Sequence, residues 1–388
     1  MDLTLERLKL SDGDDGGEDR LSALPDDVLI HILVLVDDAA AAARTSILAS
    51  RWRRLWPLLP ELRFASIEHH RIGAALAARE APDLSLLFAL TEDASPEAVS
   101  AWLPIAARGL SGTIDLEVVR RVAEPETVER GAAIHLPCFE KATIIMLKLG
   151  FLGLALPPSG VFARLVDLQL VDIQLHGQSS GLGDLLASQR CPSLLFLLVS
   201  GVRGLDSLNI HSDSLLHMKL FRLRLLQQLT VIAPGLETLM VTGCFTNPPN
   251  PDLSVANIKA PQLTWLIWMN VHHLSSIQVN TMKHLQRLTI KLYILLGYEK
   301  DFDHNHYWMT LLRRFQLIQA LDLVIYYPRY ICTGQYLMEH MPELTNITFL
   351  GLAVIAFGHS FGASSFDVLR KCTGVKELDL DFVPETQL

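Results

Sequence analysis

The feature that most constrains this chain is a six-residue unit, apolar-x-x-apolar-x-apolar, that recurs from residue 160 onward. It stands at Leu165/Leu168/Leu170, Leu194/Leu197/Val199, Leu205/Leu208/Ile210, Leu215/Met218/Leu220, Leu226/Leu229/Val231 and Leu236/Leu239/Val241. It returns at Leu263/Leu266/Trp268, Leu274/Ile277/Val279, Leu285/Leu288/Ile290, Ile318/Leu321/Leu323, Leu344/Ile347/Phe349 and Val375/Leu378/Leu380. Between 194 and 285 the unit comes about every 10 or 11 residues, so a pair spans about 21, inside the ~20–29 period of leucine-rich repeats. One set begins at Leu194, Leu215, Leu236, Leu263 and Leu285, and Pro192, Pro234 and Pro261 stand two residues ahead of three of them, as Pro342 does before Leu344. The alternate set begins at Leu205, Leu226 and Leu274. This pattern predicts an α/β repeat fold: one strand per repeat in a curved parallel sheet, the alternate segments returning along the other face. No single repeat can bury its own leucines, so the repeats must stack.

Strand alternation then sorts the side chains of the first set. Fourth and sixth positions point to the core, and third, fifth and seventh point to the open face. The third positions are Phe196, His217, Thr238, Trp265 and Arg287; the fifth are Leu198, Lys219, Met240, Ile267 and Thr289; the seventh are Ser200, Phe221, Thr242, Met269 and Lys291. A merely solvated face would be mostly polar, whereas this one carries large apolar side chains and reads as an interaction surface. Phe196, Phe221, Met240, Trp265 and Ile267 are the residues expected to contact a bound partner, with the aromatic ones as anchors.

Composition fits a stacked array. Half of the residues are hydrophobic, 19% are charged and mean hydropathy is +0.28, which excludes disorder over most of the length. The longest apolar stretch, Ile144 to Leu156, carries Lys148 and stops at Pro157-Pro158, too short for a membrane span. Net charge is −9, against the basic footprint of a nucleic-acid binder. The five cysteines, Cys138, Cys191, Cys244, Cys332 and Cys372, are widely spaced and odd in number, so neither a disulfide framework nor a zinc site is expected. The first ten residues lack the apolar run of a signal peptide. Cytoplasm or nucleus is the expected compartment.

Four regions are expected along the chain: an acidic tail over 1–18, a small all-helical module over 19–64, a linker or start of the array over 65–99, and the solenoid over 100–388. In the module, Pro25 stands at the first turn of a helix, with Asp26 and Asp27 favourable at its positive end. Val28, Leu29, Ile32, Leu33 and Val36 follow at helical spacing. Ala39 to Leu48 forms a second helix, and a third runs from about Ser50 to Trp56 and stops at Pro57. So small a core wants a partner's surface. Farther on, Ser95-Pro96-Glu97 starts an amphipathic helix through Val99, Trp102, Leu103 and Ala106. A strand follows near Ile114, Leu116 and Val118, and Ala123 to Gly131 reads as a polar loop. The irregular gaps 171–193, 242–252 and 297–315 are expected to be loops or helical insertions.

Residues 19–64 resemble the F-box of plant F-box/leucine-rich-repeat proteins. The marks are Leu24-Pro25, Asp27-Val28-Leu29, Ile32-Leu33, Arg44-Thr45-Ser46, Arg51-Trp52-Arg53 and Leu55-Trp56, with a poly-Ala run at 39–43 and Ala49 in place of the usual serine as departures. CPSL at 191–194 and the stretch 361–380 resemble the repeats of the same family. Many relatives continue into an FBD domain, which would not fit before Leu388. The resemblance implies a substrate-receptor subunit of a cullin-RING ubiquitin ligase, non-catalytic and without cofactors. The F-box would dock a Skp-type adaptor, and through it cullin and RING subunits, while the repeats hold a target protein. The adaptor-binding residues implied are Leu24, Pro25, Val28, Leu29, Ile32, Leu33, Trp52, Leu55 and Trp56. Some of these must build the module's own core, and the sequence does not divide them. The alternative is a repeat scaffold outside any ligase, whose helices merely cap the array. Small-molecule sensing, by analogy with hormone-receptor relatives, is singled out by no residue.

Other chemistry is weakly signalled. Asp301, Asp303, His304 and His306 have no recognised metal-ligand spacing and fit a loop. His69-His70 and His272-His273 read as solvated residues at boundaries. Asp379 and Asp381 share a strand face without a partner pair for acid-base work. No phosphate-binding or nucleophile-elbow motif is present. The cysteines fit small buried apolar residues. Arg51, Arg53 and Arg54 interleave with Trp52, Leu55 and Trp56, which suits an acidic protein partner better than nucleic acid.

Overall fold

The computed structural model describes residues 24–36, 38–47, 51–65, 67–92, 94–119, 132–177, 181–245, 255–270, 276–279 (backbone), 282–293, 308–309, 312–313, 318–327, 341–358 and 362–382. The chain opens with helix α1 (Asp26–Leu35), for which Pro25 is the N-cap. Helix α2 (Ala39–Arg44) follows, its first turn capped by the Asp38 carboxylate, which accepts from Ala40 N at 3.0 Å and Ala41 N at 3.1 Å. The expected third helix is instead two 3-10 turns, Trp52–Arg54 and Trp56–Leu58. Pro57 lies within the second turn rather than ending the first, because a proline is tolerated where no N–H is needed.

Strands begin earlier than the periodicity indicated. β1 (Glu61–Ala65) and β2 (Leu84–Glu92) pair in parallel, with α3 (His69–Ala77) as their crossover. The stretch 65–99 is therefore built into the sheet, which starts at Glu61 and not near 100. Helix α4 (Pro96–Gly109) is capped by Ser95, whose hydroxyl accepts from Ala98 N at 3.2 Å, and it buries Val99, Trp102, Leu103 and Ala106. It leads into β3 (Leu110–Val119), the strand expected around Ile114.

From there the repeat takes over. The front sheet adds β5 (Ile144–Lys148), β7 (Asp167–Val171), β9 (Phe196–Ser200), β11 (His217–Phe221), β13 (Thr238–Thr242) and β15 (Trp265–Met269). It ends with β17 (Arg287–Tyr293), β18 (Ala320–Tyr326), β19 (Phe349–Ile355) and β20 (Glu377–Phe382), and all thirteen strands form one parallel sheet. The alternate segments form two back sheets. One holds β4 (Ala133–His135), β6 (Gly153–Ala155) and β8 (Gln174–His176), and the other β10 (Ser207–His211), β12 (Gln228–Ile232), β14 (Val255–Lys259) and β16 (Ser276–Val279). The expected parallel-sheet solenoid is thus present. Leucines of both sets face one another in a single continuous core that also takes in Leu29, Leu33, Trp52 and Leu55 of the N-terminal module.

Two details of the repeat differ from the sequence reading. In β19 Leu350 and Leu352 are buried and pair with Leu321 and Leu323, whereas Phe349 is half-exposed. The unit near the end is therefore Ile347/Leu350/Leu352, and Phe349 belongs to the open face. The gap 171–193 contains β8 and a short helix, α5 (Gly181–Leu186), which packs on β10. Residues 1–18, the loop 123–131, the DFDHNH cluster, His272-His273, Cys332 and most of the gaps 242–252 and 297–315 lie outside the described residues. A last helix, α6 (Gly362–Lys371), precedes β20, whose core-side Leu378, Leu380 and Phe382 are 42–53% exposed because no described strand covers them.

Candidate interaction surfaces

The N-terminal helices now separate into core and surface. Leu29, Leu33, Trp52 and Leu55 are buried, so these four hold the module together and join it to the repeats. Leu24, Ile32 and Trp56 are half-buried, and Pro25 and Val28 are exposed. Sequence reasoning missed Leu35, 70% exposed, as part of the outer surface of α1 and left Val36 unassigned to it; Ile47, in the turn after α2, is 82% exposed. Val28, Ile32, Leu35 and Val36 follow the i, i+4, i+7, i+8 spacing of one helix face. Helix α1 is thus apolar on two sides, one inside and one facing out.

Arg51 fixes this helix. Its Nε donates to Asp26 Oδ1 at 2.8 Å and its Nη2 donates to the Leu24 carbonyl at 2.8 Å, tying the helix start to the first 3-10 turn. Arg51 is therefore a structural clamp, whereas Arg53 and Arg54 are exposed.

The second surface is the open face of the front sheet. Its first row runs Phe196, His217, Thr238, Trp265 and Arg287, then Ala320, Phe349 and Glu377. The second runs Leu198, Lys219, Met240, Ile267 and Thr289. Ser200, Phe221, Thr242 and Met269 make the third. Phe196, Phe221, Met240 and Trp265 stand in the expected register and are half-exposed. Ile267 is in register but only 8% exposed, so its neighbours close over it and it offers little to a partner.

Cations and rings are interleaved here. Lys219 Nζ lies 5.3 Å from the Phe196 ring centre, and the Arg287 guanidinium lies 4.8 Å from Trp265 and 5.2 Å from Phe349. Arg287 also donates twice to Asp322, Nε to Oδ2 at 2.8 Å and Nη2 to Oδ1 at 3.1 Å, and Thr289 Oγ1 donates to the same carboxylate at 2.9 Å. Trp265 Nε1 donates to Thr289 Oγ1 at 3.4 Å. The network holds the Trp265 ring while leaving part of it open.

Toward the N-terminal end the face turns acidic. The Asp115 carboxyl is held above its ordinary range by burial and by neighbouring Glu117, and burial does the same to Asp167. Lys148 pairs with Glu117. At the other end burial lowers the Lys291 ammonium, which lies 4.3 Å from the Tyr326 ring centre.

The remaining candidates have structural roles. Cys191, Cys244 and Cys372 are buried, and burial pushes the first two up to about 12 and the third up to about 11, so none is an activated nucleophile. Cys138 is half-buried and also raised, chiefly by burial. His69 is not a solvated residue: it is half-buried, its Nδ1 accepts from Trp102 Nε1 at 3.3 Å, and burial lowers its pKa. His70 is exposed beside Glu68. Asp379 and Asp381 share the open face of β20. Among the described residues no cluster of three metal-ligating side chains occurs.

Residues 99–323, more than half of the chain, match the family described as FBD-associated F-box protein At5g56370, LRR repeats. The F-box/FBD/LRR-repeat protein At2g04230 of Arabidopsis thaliana is 24% identical over 351 residues, 81% of this chain and 76% of the relative. The FBD-associated F-box protein At3g52670 of the same plant is 29% identical over 266 residues, 63% of this chain and 58% of the relative. In several other F-box relatives from that plant the match covers 51–56% of the relative, so the chain spans about half the length of those curated proteins.

Proposed function

Since the chain belongs to the plant F-box/leucine-rich-repeat family, we propose that it is a substrate-receptor subunit of a Skp–cullin–F-box ubiquitin ligase. The N-terminal helices dock a Skp-type adaptor, and the open face of the front sheet captures a protein target. The chain contributes geometry and no chemistry: it holds the target while other subunits carry and transfer ubiquitin. Its working compartment is the cytoplasm, the nucleus or both.

The observation that carries this reading is the double-sided helix α1. Its inner residues Leu29 and Leu33 close the core with Ile32 packed against them, so the exposed Val28, Leu35 and Val36 are not needed for folding. Apolar residues left on such a surface stabilise association, at about 25 cal/mol for each Å² removed from water. A mere cap on the array would present polar residues there.

The test is co-purification of a plant Skp adaptor with the full chain and with a Val28→Asp/Leu35→Asp variant. The variant is expected to lose the adaptor while its melting temperature stays within a few degrees. Adaptor capture that survives both aspartates would refute the docking surface, and with it the ligase reading.

A further inference from the structure

Among the described residues the back of the solenoid is broken between β8 and β10. Directly after front strands β7, β9, β11 and β13 a residue turns left-handed, Asp172 at φ 48°, Gly201 at 63°, Arg222 at 53° and Gly243 at 61°, and beyond β5 both Gly150 and Phe151 do so, at 53° and 67°. Their amides continue the ladder: Asp172 N donates to Ser200 O at 2.8 Å, Gly201 N to Phe221 O at 2.9 Å and Arg222 N to Thr242 O at 3.0 Å. The chain then crosses to the back. Here the two back sheets fail to join, and β8 meets the next repeat only through a single bridge between Gln174 and Arg203. The break leaves a cavity of about 360 Å³. That volume is in the range of small-ligand sites, ~300–1,000 Å³, and far from a protein-docking face.

The lining has two characters. Arg203, Arg222 and Arg224 bring three guanidinium groups to the cavity against one carboxylate, Asp172. Arg222 Nη2 donates to Asp172 Oδ1 at 3.2 Å and to Ser200 Oγ at 3.4 Å. Among the described residues no carboxylate pairs with Arg203 or Arg224. The Arg203 guanidinium lies over the Phe151 ring, 3.9 Å from its centre. Phe151, Val202 and Leu225 form the apolar wall, and Leu225 on the rim is 45% exposed. Gly201 lets the chain pass close: a Cβ there would lie 2.1 Å from Asp172 Oδ1. This local excess of positive charge stands in a chain of net charge −9.

We propose that this cavity binds a small organic anion, in which a carboxylate or phosphate head is attached to a flat apolar body. Arg203 and Arg224 take the head, for guanidinium groups match these oxyanions with paired N–H donors. The body packs between Phe151 and Leu225. The charge excess is offset when the anion is bound. The site is lined only by residues of the repeats and does not depend on the adaptor reading.

The test is titration calorimetry of the full chain with phenyl phosphate and with benzoate, using inorganic phosphate and phenol as half-ligands. At least one of the two aromatic anions is expected to saturate at one site in the millimolar range, the strength expected of about ten heavy atoms. Comparison of the two distinguishes a phosphate from a carboxylate head. Both half-ligands are expected to bind at least ~10-fold more weakly, since each lacks one of the two contacts. Arg224 is exposed, so Arg224→Ala leaves the fold intact and is expected to weaken binding ~10-fold or more. Arg370→Ala, on α6, is expected to change nothing. The proposal is overturned if neither aromatic anion saturates, if inorganic phosphate binds as well as phenyl phosphate, or if Arg224→Ala and Leu225→Asp both bind like the unaltered chain.

Discussion

A methyl group at position 351 would lie 2.5 Å from Asp322 Oδ1, closer than two such atoms can approach. The carboxylate it would displace receives both Arg287 donors and the Thr289 hydroxyl. Gly351→Ala is therefore expected to cost about 1–3 kcal/mol in a denaturant titration, and much less in an Asp322→Ala background, because contacting sites do not add. An equal cost in both backgrounds would contradict this account. The buried thiols give a pH signature. Cys191 and Cys244 are raised to about 12, so they stay protonated in the fold, while the unfolded chain starts to ionise near 9.0. Their stabilising contribution is complete below pH 9 and is lost as pH rises toward 12. Melting curves between about pH 8 and pH 11 should show this fall, and Cys244→Ala should flatten it by up to one proton's worth of slope. At this scale the sequence was a mixed guide. Trp265 and Phe196 stand in their expected rows because alternation in a repeat leaves a single register. Phe349 was misassigned because its segment offers apolar residues at both phases, Leu344/Ile347/Phe349 and Ile347/Leu350/Leu352, and only pairing with β18 decides between them.

Local chemistry made some elements readable and tertiary packing decided others. Helix α4 was legible from Ser95-Pro96-Glu97, which supplies a cap, a preset φ and a favourable charge at successive positions. Ser95→Ala is expected to lower stability by about 1 kcal/mol, read as a shifted urea midpoint with unchanged slope. The two 3-10 turns at Trp52–Arg54 and Trp56–Leu58 were not legible, since the spacing of three Trp and Leu residues fits either helix type and the choice follows from burying Trp52, Leu55 and Pro57 together. The division of α1 into inner and outer rows was equally hidden, because apolar residues surround most of the helix. It yields a contrast between rows: Leu33→Ala should cost about 2–4 kcal/mol of stability, whereas the outer aspartates of the proposed test should cost little and abolish adaptor capture. A stability loss of the same size in both would show that the outer row is core. β1 and β2 went unread because they precede the regular repeat, and the α3 and α4 crossovers set their spacing instead of the period near 21.

For the whole molecule, the open face is the expected route to target binding, and Trp265→Ala and Phe221→Ala should weaken target capture while sparing adaptor binding. Both rings are half-exposed, so melting temperatures should fall only slightly. A sharp fall would mean that these side chains belong to the core. The architecture as a whole was the most legible level, since stacking is forced on any chain whose repeats cannot bury their own leucines. What the sequence concealed is that the module at 24–58 is part of the same apolar core and adjoins the first strand without a spacer. That junction has a mechanical meaning. With strands ~4.8 Å apart, each repeat inserted between α1 and Trp265 moves the two surfaces apart by one fixed step and turns them by one fixed angle. The molecule is then a rigid gauge whose length is counted in repeats. In a ligase that gauge would choose which lysines of a captured protein come within reach, so lengthening or shortening it by one repeat would redirect modification to different lysines without altering a single contact with the target.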